Sequence, residues 1–205
     1  TYKFSMSKLL RMYKAFIIII FSFYVINIFA KSENQNEYRT DSESFAIPGH
    51  GELIINVPKI WNYRYKTTND DKPPIITFYN LDKNKGEIYQ LNLSILWEDG
   101  FQRNISSPEY IRSLVEQTGK EALVHSDQTK LKLEKISGRY GVGYFFNLSD
   151  SNASSGEYQF LTQGALGVGR LLLIFSLFSN DNDSILQEAL MKIIMSAKHQ
   201  NRKDV

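Results

Sequence analysis

The chain has 205 residues, of which 42% are hydrophobic and 22% are charged, and it contains no cysteine. This composition excludes a disordered tail, a collagen-like fibre and a disulfide-stabilised scaffold, and a mean hydropathy of −0.30 argues against several membrane spans. The formal net charge is +2, but four basic residues and no acidic residue lie within 1–30, so the rest of the chain is close to neutral. It therefore lacks the basic surface that is typical of a nucleic-acid-binding protein.

The N-terminal segment has the pattern of a secretory signal peptide. Basic residues up to Lys14 precede an apolar run at 15–30, and a polar segment follows directly. This order predicts a signal peptide over 1–30 with cleavage after Ala30, and Met6 is a more typical starting residue than the first residue of the chain. We therefore expect an exported protein, periplasmic or secreted.

An uncleaved membrane anchor is the alternative interpretation of this segment. Its sixteen residues would form a helix of about 24 Å, which is shorter than the roughly 30 Å hydrocarbon core of a bilayer, so cleavage is favoured. The absence of cysteine excludes a lipoprotein anchor at the cleavage point and leaves the exported form without disulfide bonds.

The rest of the chain is predicted to form one domain. Residues 31–43 hold one aromatic and no aliphatic residue, so they are expected to be a flexible linker. No comparably polar stretch interrupts 44–200, which we interpret as a single globular domain. Residues 201–205 then form a tail.

Alternating hydrophobicity predicts strands over much of this domain. In 88–97, apolar residues on one face alternate with polar residues on the other. The run at 171–178 is apolar on both faces, which predicts a central strand that is covered on both sides. The links between strands are mostly short, which favours antiparallel pairing. Further strands are predicted around 53–57, 75–79, 131–133, 142–148 and 157–163.

Two helices are predicted, and they determine the expected architecture. The first follows Ser107, an N-cap residue before a proline, and continues to about Ala122. The second begins at Ser184, where Gln187 completes a capping box, and carries an apolar stripe that starts at Ile185. A central strand that is apolar on both faces needs cover on both sides. We therefore predict an α+β fold, a mainly antiparallel β-sheet covered by helices on both faces as a three-layer α/β/α sandwich.

The segment 45–61 resembles the opening of PsbP-like domains, in which a strand pair leads into a Val-Pro-x-x-Trp corner, here Val57 to Trp61. The continuation is similar as well, with a helix that starts at Pro108, the Gly-Glu-Tyr-Gln-Phe segment at 156–160, a long apolar strand and a C-terminal amphipathic helix. The resemblance implies the PsbP-type sandwich and a protein that acts mainly by binding partners. It implies no catalytic residue, because these domains share no catalytic motif that maps onto this chain.

The three histidines, His50, His125 and His199, lie far apart in the sequence and outside any metal-binding spacing. His50 stands between glycines and is interpreted as a turn residue, with a role as a ligand or an acid–base group as the less favoured alternative. His125 and His199 are predicted at helix C-termini, where a cation is favourable. The histidines therefore predict no catalytic, cofactor or metal site.

Three other sequence patterns also favour structural roles. The pair Glu98-Asp99 is interpreted as a polar turn rather than an acid–base pair, and the glycines in 164–169 as a turn or bulge rather than a phosphate loop. The acidic run 180–183 is interpreted as the start of the second helix rather than a calcium loop.

The aromatic segment after the proline corner is the best candidate for binding. Trp61, Tyr63 and Tyr65 alternate with polar and basic residues, a pattern that can anchor a partner. The structural alternative is that Trp61 closes the core while the two tyrosines line one strand face. We take these three residues as the candidate partner-binding residues.

These observations predict an exported, non-catalytic binding or accessory protein without a cofactor. Its partner is an unidentified protein or small molecule and not a nucleic acid, and it contacts a membrane only through the N-terminal segment if that segment is retained. Two alternatives stay open, an exported hydrolase with a site built from dispersed residues and a membrane-tethered interaction domain.

Overall fold

The structure, a computed structural model, describes residues 40–67, 73–82, 86–98, 104–154, 157–182 and 184–201. In these ranges it contains ten strands and two helices, all named here in chain order. They are β1 (Thr40–Ile47), β2 (Gly51–Pro58), β3 (Asn62–Lys66), β4 (Ile75–Asp82), β5 (Gly86–Trp97), α1 (Pro108–Leu123), β6 (Glu134–Gly138), β7 (Gly141–Ser149), β8 (Phe160–Val168), β9 (Leu171–Ser179), α2 (Ser184–Ser196) and β10 (Lys198–Gln200).

The strands form two antiparallel sheets. The small sheet has three strands in the order β1-β2-β10, and the large sheet has seven in the order β3-β4-β5-β9-β8-β7-β6. Strand β9 is thus the middle strand of the large sheet, paired with β5 on one side and β8 on the other. Its alternate residues Leu171, Leu173 and Phe175 lie in one hydrophobic cluster, and Leu172 lies in another. The predicted central strand with two covered faces is confirmed.

One face of the large sheet is covered by α1, which packs against β7 and β8. The helix begins as predicted, because the Ser107 hydroxyl accepts a hydrogen bond from the backbone N–H of Tyr110 and a proline occupies the first turn. Its buried residues are Ile111, Val115 and Gly119. They belong with a compact cluster that contains Phe146, Leu148, Ala165 and Leu172.

The opposite face is covered by the small sheet, with α2 packed against β2 and β6. The β1–β2 hairpin buries a row of apolar side chains, and the backbone N–H of Asn56 donates a 2.9 Å hydrogen bond to the Ser196 hydroxyl of α2. The row consists of Phe45, Ile47, Leu53, Ile55 and Val57. This face belongs to the larger of the two hydrophobic clusters.

The predicted three-layer α/β/α sandwich is therefore wrong. The described residues form mainly antiparallel β structure in two sheets with two short helices, and a second sheet covers much of the face that was assigned to a helix. The physical reason is that a hairpin with an apolar row buries a sheet face as effectively as an amphipathic helix does. The requirement for cover on both sides was correct, but it does not identify the covering element.

Three smaller expectations also need correction. Strand β1 begins at Thr40, so the last four positions of the predicted linker 31–43 belong to a strand, and the first three of them are exposed. Ile185 was placed in the apolar stripe of α2 but is 52% exposed. His199 was predicted at a helix end and instead lies in β10.

Neither α1 nor α2, the helices of the described residues, combines the length and the apolar character needed to cross a bilayer. The predicted signal peptide 1–30, its cleavage site after Ala30 and its starting residue Met6 lie outside the described residues, as do 31–39 of the linker and 202–205 of the tail.

Candidate functional site

The helix-side face of the large sheet changes character away from α1. Beyond β9, on β5, β4 and β3, the side chains on this face are mainly polar, and the strand register aligns them in rows. One row runs from Arg64 through Thr77 to Asn92, and the next pairs Tyr79 with Gln90. We call this surface the polar sheet face and define it by six side chains. They are Arg64, Lys66, Thr77, Tyr79, Gln90 and Asn92.

A hydrogen-bond network fixes the centre of the polar sheet face. The side-chain oxygen of Asn92 accepts a 2.9 Å bond from the Thr77 hydroxyl and a 3.0 Å bond from the Gln90 amide. Both bonds use the same oxygen, so the Nδ2 amide group of Asn92 has no partner among the described residues. An amide held on two sides in this way presents two N–H donors from a fixed position.

The β3 side of the polar sheet face carries its positive charge. The guanidinium carbon of Arg64 lies 4.8 Å from the centroid of the Tyr79 ring, a cation–π arrangement that holds the guanidinium over the sheet. Lys66 follows two positions later, on the same face of the same strand, and is exposed. The two charges therefore border the amide and hydroxyl groups of β4 and β5.

The predicted aromatic residues lie on the opposite side of β3. Trp61 is buried, with 6% of its surface exposed, and its ring centroid is 4.8 Å from that of Tyr89 and 6.2 Å from that of Phe78. It closes the core at the proline corner. This position agrees with the structural interpretation of Trp61.

Tyr63 and Tyr65 connect the edge of the large sheet to β1. Their rings pack edge-on against Phe45, with centroid distances of 5.2 and 5.4 Å. The Tyr63 hydroxyl donates a 3.0 Å hydrogen bond to the Glu43 carboxylate, and the Tyr65 hydroxyl donates to the Ala46 carbonyl. The bond to Glu43, followed by burial, raises the pKa of Tyr63, and burial raises the pKa of Tyr65. Tyr63 keeps 40% of its surface exposed at the edge of the molecule.

Two of the three histidines meet at another end of the fold. The His50 ring stacks on Trp97 with centroids 4.4 Å apart, and Nε2 of His199 donates a 2.8 Å hydrogen bond to the backbone carbonyl of His50. Gly169, with φ of +61°, brings its backbone close to the His199 ring. His125 stays apart in the turn after α1. The contact between His50 and His199 ties β10 to the β1–β2 turn.

Glu98 lies next in sequence to Trp97 and is engaged by its neighbours. The Ser106 hydroxyl donates a 2.8 Å hydrogen bond to one carboxylate oxygen, and Nε of Arg170 is 3.9 Å from the other. These contacts join the end of β5, the segment before α1 and the β8–β9 turn. Asp99, the second residue of the predicted polar turn Glu98-Asp99, lies outside the described residues.

The glycines of 164–169 allow close packing. A β-carbon on Gly167 would lie 2.4 Å from the Ser106 carbonyl oxygen, and one on Gly164 would lie 2.4 Å from the Tyr144 carbonyl oxygen. Both glycines are in β8, so they serve contacts with neighbouring backbone. In the part of the chain that the structure describes, no group of three or more histidine, aspartate and glutamate side chains is placed to hold a metal ion.

Comparison with solved structures gives two similarities of fold. The first is to a crystal structure from Bacteroides thetaiotaomicron VPI-5482, with a TM-score of 0.47 and 15% identity over 74% of this chain; the chain spans 46% of that protein. The second is to the solution structure of cyanobacterial PsbP (CyanoP) from Synechocystis sp. PCC 6803, with a TM-score of 0.47 and 11% identity over 83% of this chain and 98% of that one. No family model matches the chain, and no curated protein matches it in sequence.

The polar sheet face was not identified from the sequence, although part of its signal was visible. The alternation in 88–97 separated Gln90 and Asn92 from the apolar positions of β5. A helix over each face of the sheet would also cover these polar residues. A polar row under a helix would be costly, because buried amides need partners. That conflict was the available signal that α1, which packs on β7 and β8, does not extend over this half of the sheet.

Proposed function

We propose that this chain is an exported, non-catalytic binding or accessory protein whose contact surface is the polar sheet face. The observation that carries the proposal is the fixed amide of Asn92, which lies in a row with Arg64 and Thr77 on a half of the sheet away from α1. Hydrogen-bonding groups held in fixed positions on a sheet lose little side-chain entropy when a ligand binds, so such a surface favours recognition.

The three aromatic residues predicted to bind a partner differ in how accessible they are to one. Tyr63 is exposed enough to contact a partner at the edge of β3, whereas Trp61 is part of the core. The Tyr65 hydroxyl donates a hydrogen bond to the backbone of β1. We therefore assign recognition mainly to the charged and amide side chains on the other side of β3.

Export is proposed from the order of basic, apolar and polar segments at the N-terminus. We expect the mature protein to begin at or near Lys31 and to stay in solution without detergent. N-terminal sequencing of the exported form tests this expectation. An intact leader in the membrane fraction would instead support the membrane-tethered alternative.

The binding surface can be tested by blocking the polar sheet face on the exported protein. The variant Asn92→Leu removes the presented amide and adds a branched apolar group at the centre of the face. Gln117→Leu, on the outer side of α1, is the matched control. Both proteins are screened against arrays of glycans, peptides, nucleic acids and lipid vesicles, and hits are measured by biolayer interferometry.

We expect at least one class of ligand to bind the unmodified protein and the control with equal affinity, and to bind Asn92→Leu with an affinity at least about tenfold lower. A loss of this size is expected when one well-placed polar contact is removed. Circular dichroism and melting curves confirm that the variant is folded. Binding that is unchanged by Asn92→Leu would refute the polar sheet face. Hydrolytic turnover that disappears in His50→Ala would refute the non-catalytic assignment.

A further inference from the structure

We infer that the polar sheet face takes an acidic polysaccharide, an extended chain of sugar residues that carries carboxylate or sulfate groups. This inference rests on the proposed function of the face as a binding surface. It names the chemical class of the ligand from the charges, hydrogen-bonding groups and shape of the six side chains.

The shape of the face favours an extended ligand. The strands β3, β4 and β5 are neighbours, so their side chains form a floor about 10 Å wide, from an inter-strand spacing of about 4.8 Å. The described element that packs on this side, α1, contacts β7 and β8 at the other end of the sheet. A small molecule is usually enclosed by a concave pocket, whereas a polymer can lie along a row of contacts on an open surface.

The hydrogen-bonding groups match hydroxyl-rich chains. Thr77, Gln90 and Asn92 contribute one hydroxyl and two amides, and Nδ2 of Asn92, which has no partner among the described residues, supplies donors. Sugar hydroxyl groups both donate and accept, so they can satisfy amide and hydroxyl side chains at once. These three residues are half-buried and neutral, so they recognise polar groups without attracting charge.

The charge on the face selects for an acidic ligand. Arg64 and Lys66 are its two charged side chains, and both are positive. A guanidinium binds carboxylate or sulfate through paired hydrogen bonds, and the contact with the Tyr79 ring holds the Arg64 group in place. This local charge contrasts with the near-neutral balance of the chain outside its leader.

Two other polyanionic classes fit less well. An acidic peptide would add to the edge of β3 through its backbone rather than lie across the face. A single-stranded nucleic acid needs aromatic rings on which its bases stack, and the Tyr79 ring is occupied by the Arg64 guanidinium. A polysaccharide uses the amides, the hydroxyl and both cations together.

The experiment uses acidic glycans paired with their neutral counterparts. The probes are polygalacturonate against its fully methyl-esterified form, and dextran sulfate against dextran. Polyglutamate and single-stranded DNA represent the other polyanions. Affinities of the exported protein are measured by biolayer interferometry at low and physiological salt.

Charge is removed by Arg64→Gln/Lys66→Gln. The matched control is Lys130→Gln/Arg139→Gln, which removes the same two charge types at exposed positions, and Arg139 also lies over a tyrosine, 5.3 Å from the Tyr140 ring centroid. We expect an acidic glycan to bind at least about tenfold more tightly than its neutral counterpart, and the face variant to lose about tenfold in affinity while the control changes less than about twofold.

Equal loss in the two double variants would mean that net charge alone drives binding, and would refute the inference. Polyglutamate or DNA binding as tightly as the glycans, with sensitivity to the face variant, would refute the ligand class and leave the proposed function intact. If acidic glycans do not bind while another ligand is lost in Asn92→Leu, the inference fails and the surface stands. If no ligand responds to Asn92→Leu, the proposed function fails with it.

Discussion

The two halves of the helix-side face of the large sheet differ in polarity. Under α1, on β7 and β8, the face is mostly apolar, and Phe146 is fully buried. On β4 and β5 the same face presents Thr77, Gln90 and Asn92, which bond to one another. One continuous sheet face can therefore be a core surface at one end and a polar surface at the other. The chemistry of each strand, more than its place in the sheet, indicates where the covering helix ends.

The largest expected difference between the two halves is at Phe146. The substitution Phe146→Ala should lower the free energy of unfolding by about 3–5 kcal/mol, because it leaves a cavity beneath α1. Chemical denaturation measures this loss. Tyr140→Ala, at an exposed aromatic position, serves as the control and should cost less than about 0.5 kcal/mol. A loss below 1 kcal/mol at Phe146 would mean that the helix-covered half is not the packed half.

The two faces of the sheet at β3 and β4 should also differ. Tyr63→Ala/Tyr65→Ala should lower the free energy of unfolding by about 2–4 kcal/mol, because each ring loses its packing on Phe45, and aromatic pairs contribute about 0.5–1.5 kcal/mol beyond buried area. Tyr79→Ala, on the polar sheet face, should cost less. Thermal and urea melts of both variants compare the two sides. If the double variant unfolds at the same temperature and urea concentration as the unmodified protein, the two tyrosines do not stabilise the fold and are again candidates for contact with a partner.

The docking of α1 depends on a glycine. Gly167→Ala should destabilise the fold by about 1–3 kcal/mol, because the new methyl group would overlap the Ser106 carbonyl just before the helix. Gly138→Ala, whose nearest neighbour would be 3.4 Å away, should change the free energy of unfolding by less than about 0.5 kcal/mol. Denaturant titration measures the free energy of unfolding of both variants. If both alanines are tolerated equally, the segment before α1 does not need this close approach.

The polar half should tolerate substitution. Thr77→Val removes the hydroxyl that bonds Asn92, and we expect the free energy of unfolding to fall by less than about 1 kcal/mol, since the network is half-exposed and water can replace the bond. The valine keeps the β-branched shape that suits a strand. A loss comparable to that of Phe146→Ala would show that the polar face is a buried core network, which would remove the contrast between the halves.

The smallest expected effect is the pH dependence of the stability that Asp127 contributes. Hydrogen bonds from the Ser151 hydroxyl, and further bonds from Ser149 and the Ser151 backbone, hold the pKa of Asp127 below its usual value. A carboxylate with a depressed folded-state pKa contributes stability above its unfolded pKa, and that contribution disappears as the pH falls through the folded value. The melting temperature of the unmodified protein should therefore exceed that of Asp127→Asn at pH 7 and approach it as the pH falls below about 3.9. A difference that is constant with pH would mean that the charge of Asp127 is not the source of its contribution.

Local patterns were sufficient for several elements of the fold. The alternation at 88–97 predicted β5, and the proline after Ser107 predicted the start of α1. The two apolar faces of 171–178 predicted a central strand, because only a strand covered on both sides can bury both rows. These predictions succeed because each depends on the sequence of a single element.

The elements that were missed depend on distant partners. Strand β10 is three residues long, and Lys198, His199 and Gln200 have no strand pattern of their own. Strand β1 opens with polar residues that resemble a linker, and its pairing with β2 makes it a strand. The position of Tyr63 and Tyr65 against Phe45 likewise follows from how the two sheets pack. Tertiary context determines such positions, and propensity does not.

The short strand β10 also has a consequence for how the nascent chain matures. It pairs with β2 at Glu52–Ile54, nearly 150 positions earlier in the chain. The hydrogen bond between His199 and the backbone of His50 likewise joins residues 149 positions apart. A polypeptide synthesised from its N-terminus can form the β1–β2 hairpin long before residue 198 exists. During that interval one edge of β2 is unpaired, and an unpaired edge is a template for pairing with another chain. Residues 198–200 thus cover an edge of β2 that stays open to such pairing until they have been synthesised.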